Sequence, residues 1–218
     1  MTDLQSLIRL QTWLSPAFPT GAFSYSHGLE AAIANGWVCD KATLTEWLWD
    51  LLTSGPGWND AVLLAESWRC VGDPETLAEI AELAEAMGFS AERYLETTAQ
   101  GKAFQEAAKA WVNISTLSSD CPLPAAVGAV AGSLEVDLEQ TLSAYIHAYV
   151  SNQIQAALRL MKLGQQGGVE ILAQLEAEII ETAHRAASST LDDLGSNTFT
   201  ADIAAMQHER LPSRIFQS

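Results

Sequence analysis

Leu, Ile and Ala return every three or four residues along most of this chain, while strict apolar–polar alternation over the length of a strand is hard to find. A 3.6-residue period places such residues on one stripe of a helix, whereas a half-buried strand needs a period of two. The expectation is an all-α fold, a single-domain helical bundle of about nine or ten helices. No Pro/Gly/Ser-rich linker and no fixed-period repeat divides residues 1–218, so one domain is expected.

Punctuation residues place the helices. Asp3 is read as the cap of a first helix with Leu4, Leu7, Ile8 and Leu14 on its inner face, broken by Pro16 and Pro19. Ser24 opens a second helix with Leu29, Ala32 and Ile33 inward, ending near Asn35 ahead of Gly36. Thr43 and Glu46 form a capping box before the stripe Leu44, Trp47, Leu48 and Leu51, and Gly55, Pro56 and Gly57 stop that helix. Asp60, Asp73 with Pro74, and Ser90 cap the next three; the last runs through Tyr94, Phe104 and Trp111, with Gly101 inside it marking close helix packing. A small-residue helix spans about 125–132, and Asp137 with Gln140 opens the longest helix, ending at Gly164. Further helices are expected over about 169–187 and 202–207, with a non-helical end. Trp47 and Trp49 cannot face one core, so one of them is expected outside.

Charge narrows the function. Eleven Lys and Arg against 27 Asp and Glu leave a net −16, which repels nucleic acid and anionic membrane alike. The Met-Thr-Asp start lacks a signal peptide's basic and apolar segments, and no apolar run approaches a spanning helix, so a cytoplasmic protein is expected. Cys39, Cys70 and Cys121 form no CxxC pair, and His27, His147, His184 and His208 lack the i, i+4 spacing of a helical metal site. No GxxxxGK[ST] or GxGxxG is present. The expectation is no bound metal, no cofactor and no enzyme.

Single constellations read as structural. Ser26 precedes His27 and Gly28, but no strand leads into it and Ser24 stands where a nucleophile elbow has glycine. His147, on an apolar helix, reads as a satisfied core histidine. Glu75, Glu79, Glu82 and Glu85 lie along one solvated helix face instead of converging on a cation. The end segment differs from an ordinary fraying terminus: Leu211, Ile215 and Phe216 stand beside Arg210 and Arg214, fitted either to a partner or to the chain's own domain.

Three stretches carry a resemblance. "LSPAFPTGAFSYSHGLE" near the start, "ALRLMKLGQ" at 157–165 and "HERLPSRIFQS" at 208–218 resemble, in that order, signatures of the UreF family of urease accessory proteins. Ile215 and Gln217 depart from the leucine and arginine common there. The resemblance implies an all-helical, non-enzymatic nickel-insertion chaperone that assembles with the UreD/UreH scaffold and the GTPase UreG on apo-urease, pairing as a homodimer within the complex. Nickel is then the delivered ion, and GTP belongs to the partner GTPase. Its candidate partner-binding residues are Gly21, Tyr25, Ser26, Gly28, Glu30, Arg159, Gln165, His208, Glu209, Arg214 and Phe216, with residues 1–23 and 209–218 as docking elements. Two other readings remain open: a GTPase activator supplying Arg159 or Arg214 as an arginine finger, and a passive helical adaptor.

Overall fold

The computed structural model describes residues 2–218, which contain ten α-helices, two short 3₁₀ turns and no strand. The helices are α1 (Asp3–Trp13), α2 (Leu29–Ala34), α3 (Lys41–Ser54), α4 (Pro56–Arg69), α5 (Pro74–Ala86), α6 (Ala91–Ala108), α7 (Leu123–Ser133), α8 (Leu138–Leu160), α9 (Gly164–Ser188) and α10 (Phe199–His208). Among the described residues no helix is long and apolar enough to cross a membrane.

The small-residue helix α7 is the centre of the bundle, with Ala125 through Ala131 all buried. A Cβ on Gly128 would collide with the Leu64 carbonyl, and one on Gly132 would lie 2.5 Å from the Trp68 carbonyl oxygen, so these two glycines let α7 and α4 touch backbone to backbone. Gly101 plays the same part for α6: a Cβ there would sit 2.8 Å from the Pro122 carbonyl carbon, which explains a helix-interior glycine that costs about 1 kcal/mol in propensity. The long helices α8 and α9 pack against each other and against α4. Trp13 joins α1 to this core edge-on against Phe104 and Trp111.

Several helix starts differ from the expected ones, at α1 and α3 because a better capping side chain lies within three residues. Thr2 caps α1 reciprocally with Gln5, displacing Asp3 into the first turn. Asp40 caps α3, making Thr43 the third residue of the box instead of its cap. Gly55 ends α3 and also starts α4, so Asp60 lies inside a helix and accepts from the Tyr145 hydroxyl at 3.0 Å. Ser24 sits in a 3₁₀ turn, and α2 begins five residues later after a left-handed Gly28. Asp73, Ser90 and Asp137 cap as expected, α6 stops at Ala108 short of Trp111, and α9, not α8, is the longest helix.

Two burial expectations invert. Leu4, Leu7 and Ile8 face outward, at 72%, 49% and 63% exposure, because Leu10 and Trp13 take the inner face of α1. His147 is exposed, whereas His208 is completely buried. Trp49 is the outer of its pair and donates to Glu178 Oε2 at 2.9 Å, while Trp47 packs on the core.

Candidate functional site

The N-terminal motif and the C-terminal segment meet on the first turns of α6. Gly28, at φ +79°, turns the chain into α2 against the backbone of α10; a Cβ there would lie 2.7 Å from Ala205 N. This close approach brings Glu30, two residues on, beside His208 at the end of α10. Gly21 has a similar left-handed φ of +75° but open space around it, so it shapes the preceding turn only.

Glu30 is buried; its carboxylate accepts from Ile215 N at 2.8 Å and Phe216 N at 2.9 Å and lies 3.3 Å from His208 Nε2. His208 Nδ1 lies 2.6 Å from Glu92 Oε2, and the other oxygen of Glu92 takes the Arg214 guanidinium. Two main-chain hydrogen bonds fix the last residues: Gln217 N donates to Ser24 O at 2.8 Å and Ser26 N to Ser218 O at 2.9 Å. The Ser26 hydroxyl donates to that same Ser218 carbonyl and accepts from Glu30 N, which leaves it buried and unable to act as a nucleophile. Ser218 in turn donates from its hydroxyl to Glu96 Oε2 at 2.7 Å.

Glu96 is fully buried and belongs to a second charged group with His27 and Arg93, each 3.0 Å away. Burial alone pushes its carboxyl up, but His27 and Arg93 together outweigh that and hold it at about 2. Burial likewise pushes the neighbouring Asp60 carboxyl up, against the pull of Arg93 and the Tyr145 hydroxyl. His27 adopts φ +53° to reach this position and stacks edge-on with Tyr149.

Phe216 is buried beneath Arg159, whose guanidinium lies 4.5 Å from the ring centroid and donates to Phe23 O at 3.3 Å. Tyr25 O accepts from Asn152 of α8 at 3.4 Å, and Glu209 accepts from Ala91 N at 3.1 Å, helping to start α6. Nine of the eleven residues singled out in the sequence therefore border one site, and Gly21 shapes the turn that leads into it. Gln165 does neither: it is exposed at the start of α9, away from the tail. The residues that sequence reasoning missed are Glu92, Arg93 and Glu96 of α6, His27, and Ser218. Only the i, i+4 spacing of Glu92 and Glu96 on a Ser90-capped helix signals that α6 turns a carboxylate face to something basic.

Beside the site lies a cavity of ≈480 Å³, bordered by Trp13, Phe23, His27, Tyr149 and Arg159 among others. A broader apolar groove runs between α1, α8 and α9, lined by Leu4, Leu7, Leu14, Leu172 and Ile180. Among the described residues no group of three or more His, Cys, Asp or Glu side chains is arranged to hold a metal ion.

The model of the UreF family matches residues 38–176, from the loop before α3 into α9. The chain is 54% identical over 215 residues to the urease accessory protein UreF of Brucella ovis, covering 98% of this chain and 94% of that protein. It is equally similar to urease accessory protein UreF 1 of Brucella suis. With the urease accessory protein UreF of Rhizobium etli it shares 51% over 218 residues, 99% of this chain and 98% of the relative.

Proposed function

Because the chain belongs to the UreF family of urease accessory proteins, we propose that it acts as a non-catalytic chaperone of nickel insertion, seated with the UreD/UreH scaffold and the GTPase UreG on apo-urease. The observation that supports this reading best is the convergence of the three separated motifs on a surface built by the tail, with Ser26 and Ser218 buried and spent on structure. A site of this kind presents shape and charge to a macromolecule and offers a small substrate no reacting group. Nickel and GTP are handled by the assembly, and this chain needs neither as a resident cofactor.

In this reading residues 1–23 and 209–218 are the docking elements. They carry exposed apolar side chains, Phe23 at 66% and Ile215 at 57% exposure. Co-expression with tagged scaffold subunit and UreG tests it: Arg214→Ala and removal of residues 211–218 should reduce capture of the scaffold, of UreG or of both. Full capture by the truncated chain would overturn the docking role.

Homodimer formation fits the groove between α1, α8 and α9. Leu4 and Leu7 line that groove together with Leu14, Leu172 and Ile180, and Ile8 next to them on α1 is 63% exposed, an apolar face that a two-fold interface would bury against its own copy. Ile8→Glu should leave a monomer in light scattering.

One observation favours the arginine-finger reading for a particular residue. Arg159 is exposed and has no carboxylate partner among the described residues, while Arg214 is tied to Glu92. Single-turnover GTP hydrolysis by UreG, with and without this chain and the scaffold, separates activator from adaptor, since a finger accelerates by about 10³–10⁵. Arg159→Ala would abolish that acceleration.

A further inference from the structure

Each ring nitrogen of the fully buried His208 faces a carboxylate: Nδ1 faces Glu92 at 2.6 Å and Nε2 faces Glu30 at 3.3 Å. A neutral imidazole has one N–H and one lone pair, so in either tautomer one nitrogen would turn its lone pair to a carboxylate oxygen. Both carboxylates also accept from other donors, and such bonds favour the charged form of a carboxylate. Glu92 already takes the Arg214 guanidinium, and Glu30 takes the amide protons of Ile215 and Phe216.

Charge balance leads to the same state. Glu30 on α2, Glu92 on α6 and Arg214 on the tail are the charged groups against the ring; Arg93 turns instead to His27 and Glu96, and Glu209 to Ala91 N. With His208 as imidazolium, two negative charges meet two positive ones. With His208 neutral, only Arg214, itself 41% exposed, faces two largely buried carboxylates, and the net negative charge left on them is unfavourable.

We propose that a proton on His208 closes the tail onto the domain: the imidazolium holds Glu30 and Glu92 together, and those two carboxylates hold Ile215, Phe216 and Arg214. The docked tail is most stable with His208 protonated and loosens as rising pH removes that proton. Release would uncover Ser26, Glu30 and the Phe216 pocket. The latch is a property of the free chain and does not depend on what the tail binds.

NMR of the full chain with ¹⁵N-labelled histidine tests it. Both ring nitrogens of His208 should show imidazolium shifts wherever the Ile215 and Phe216 amides are protected from exchange. Protection of those two amides, corrected for intrinsic exchange, should fall about tenfold or more in step with loss of the ring proton, while α7 amides keep theirs. In His208→Gln the side-chain amide donates to one carboxylate and turns its oxygen to the other, so tail protection should be low and independent of ring titration. A neutral tautomer coexisting with protected tail amides, or unchanged tail protection through the titration, would overturn the proposal. Should the variant fail to fold, the titration of the unaltered chain decides alone.

Discussion

Gly28→Ala separates two costs that glycine avoids at the same position. The first is conformational: a side chain at φ +79° costs about 1–2 kcal/mol in the left-handed region. The second is steric. The new Cβ would meet Ala205 N at 2.7 Å, Ala205 Cα at 2.9 Å and Ala204 C at 3.1 Å, all main-chain atoms that cannot rotate away, so α10 must shift. Overpacking of that kind costs about 1–3 kcal/mol. The sum, about 2–5 kcal/mol, corresponds to a Tm loss of about 4–20 °C in a domain of this size. Gly21→Ala is the internal control, because it has φ +75° and nothing within 4 Å of its Cβ. It pays the conformational cost alone, about 2–8 °C. The gain from stiffening the unfolded chain is common to both variants and cancels in the comparison. Differential scanning calorimetry of the two proteins reads the difference directly, and exchange protection of Ile215 and Phe216 shows whether the displaced α10 carries His208 off the tail. Equal Tm losses at both positions would refute the close-approach argument.

Gly101→Ala should cost about 3 kcal/mol or more despite alanine's better helix propensity, since its Cβ meets the Cys121–Leu123 backbone; an unchanged or raised denaturant midpoint would contradict this. Glu96 is ionised in the fold down to about 2 against an ordinary 4.5, so its contribution is present above about 4.5 and is lost as pH falls toward 2. Glu96→Gln should therefore be less stable at neutral pH and show a shallower acid limb between those values, measured by circular dichroism. Iodoacetamide should label exposed Cys39 in the native protein and spare Cys121, whose buried thiol is pushed up to about 12; peptide mapping that finds Cys121 labelled first would overturn that ordering.

The helical class was legible because burial repeats at the helical period over nearly every element, as in Leu44, Leu48 and Leu51 of α3. Cap positions were less so, since two competent side chains stood within three residues at Asp40 and Thr43, and local sequence cannot say which one the incoming chain lets reach the backbone. The outward turn of Leu4, Leu7 and Ile8 was hidden for a related reason: α1 is apolar on two faces, and the indole of Trp13 decides which one is inner. Within the site, the motif residues were found through the family resemblance, but their opposite numbers on α6 were not. Glu92, Arg93 and Glu96 look like an ordinary solvated helix start until the tail covers them. His147 and His208 exchange roles because burial of a histidine depends on which carboxylates meet it in space, and Glu30 lies 178 positions from His208.

Ser26 and Ser218 are separated by 192 positions, and Glu30 and Phe216 by 186. Contacts between such distant points close last, after the intervening helices have condensed, because loop closure opposes them until the rest of the chain is compact. During synthesis the carboxylates of Glu30 and Glu92 must wait with no tail to hold until α10 and residues 211–218 have left the ribosome. A binding partner that recognises the closed site would then pass over chains in which residues 211–218 have yet to dock, so recognition itself reads whether two distant segments have met.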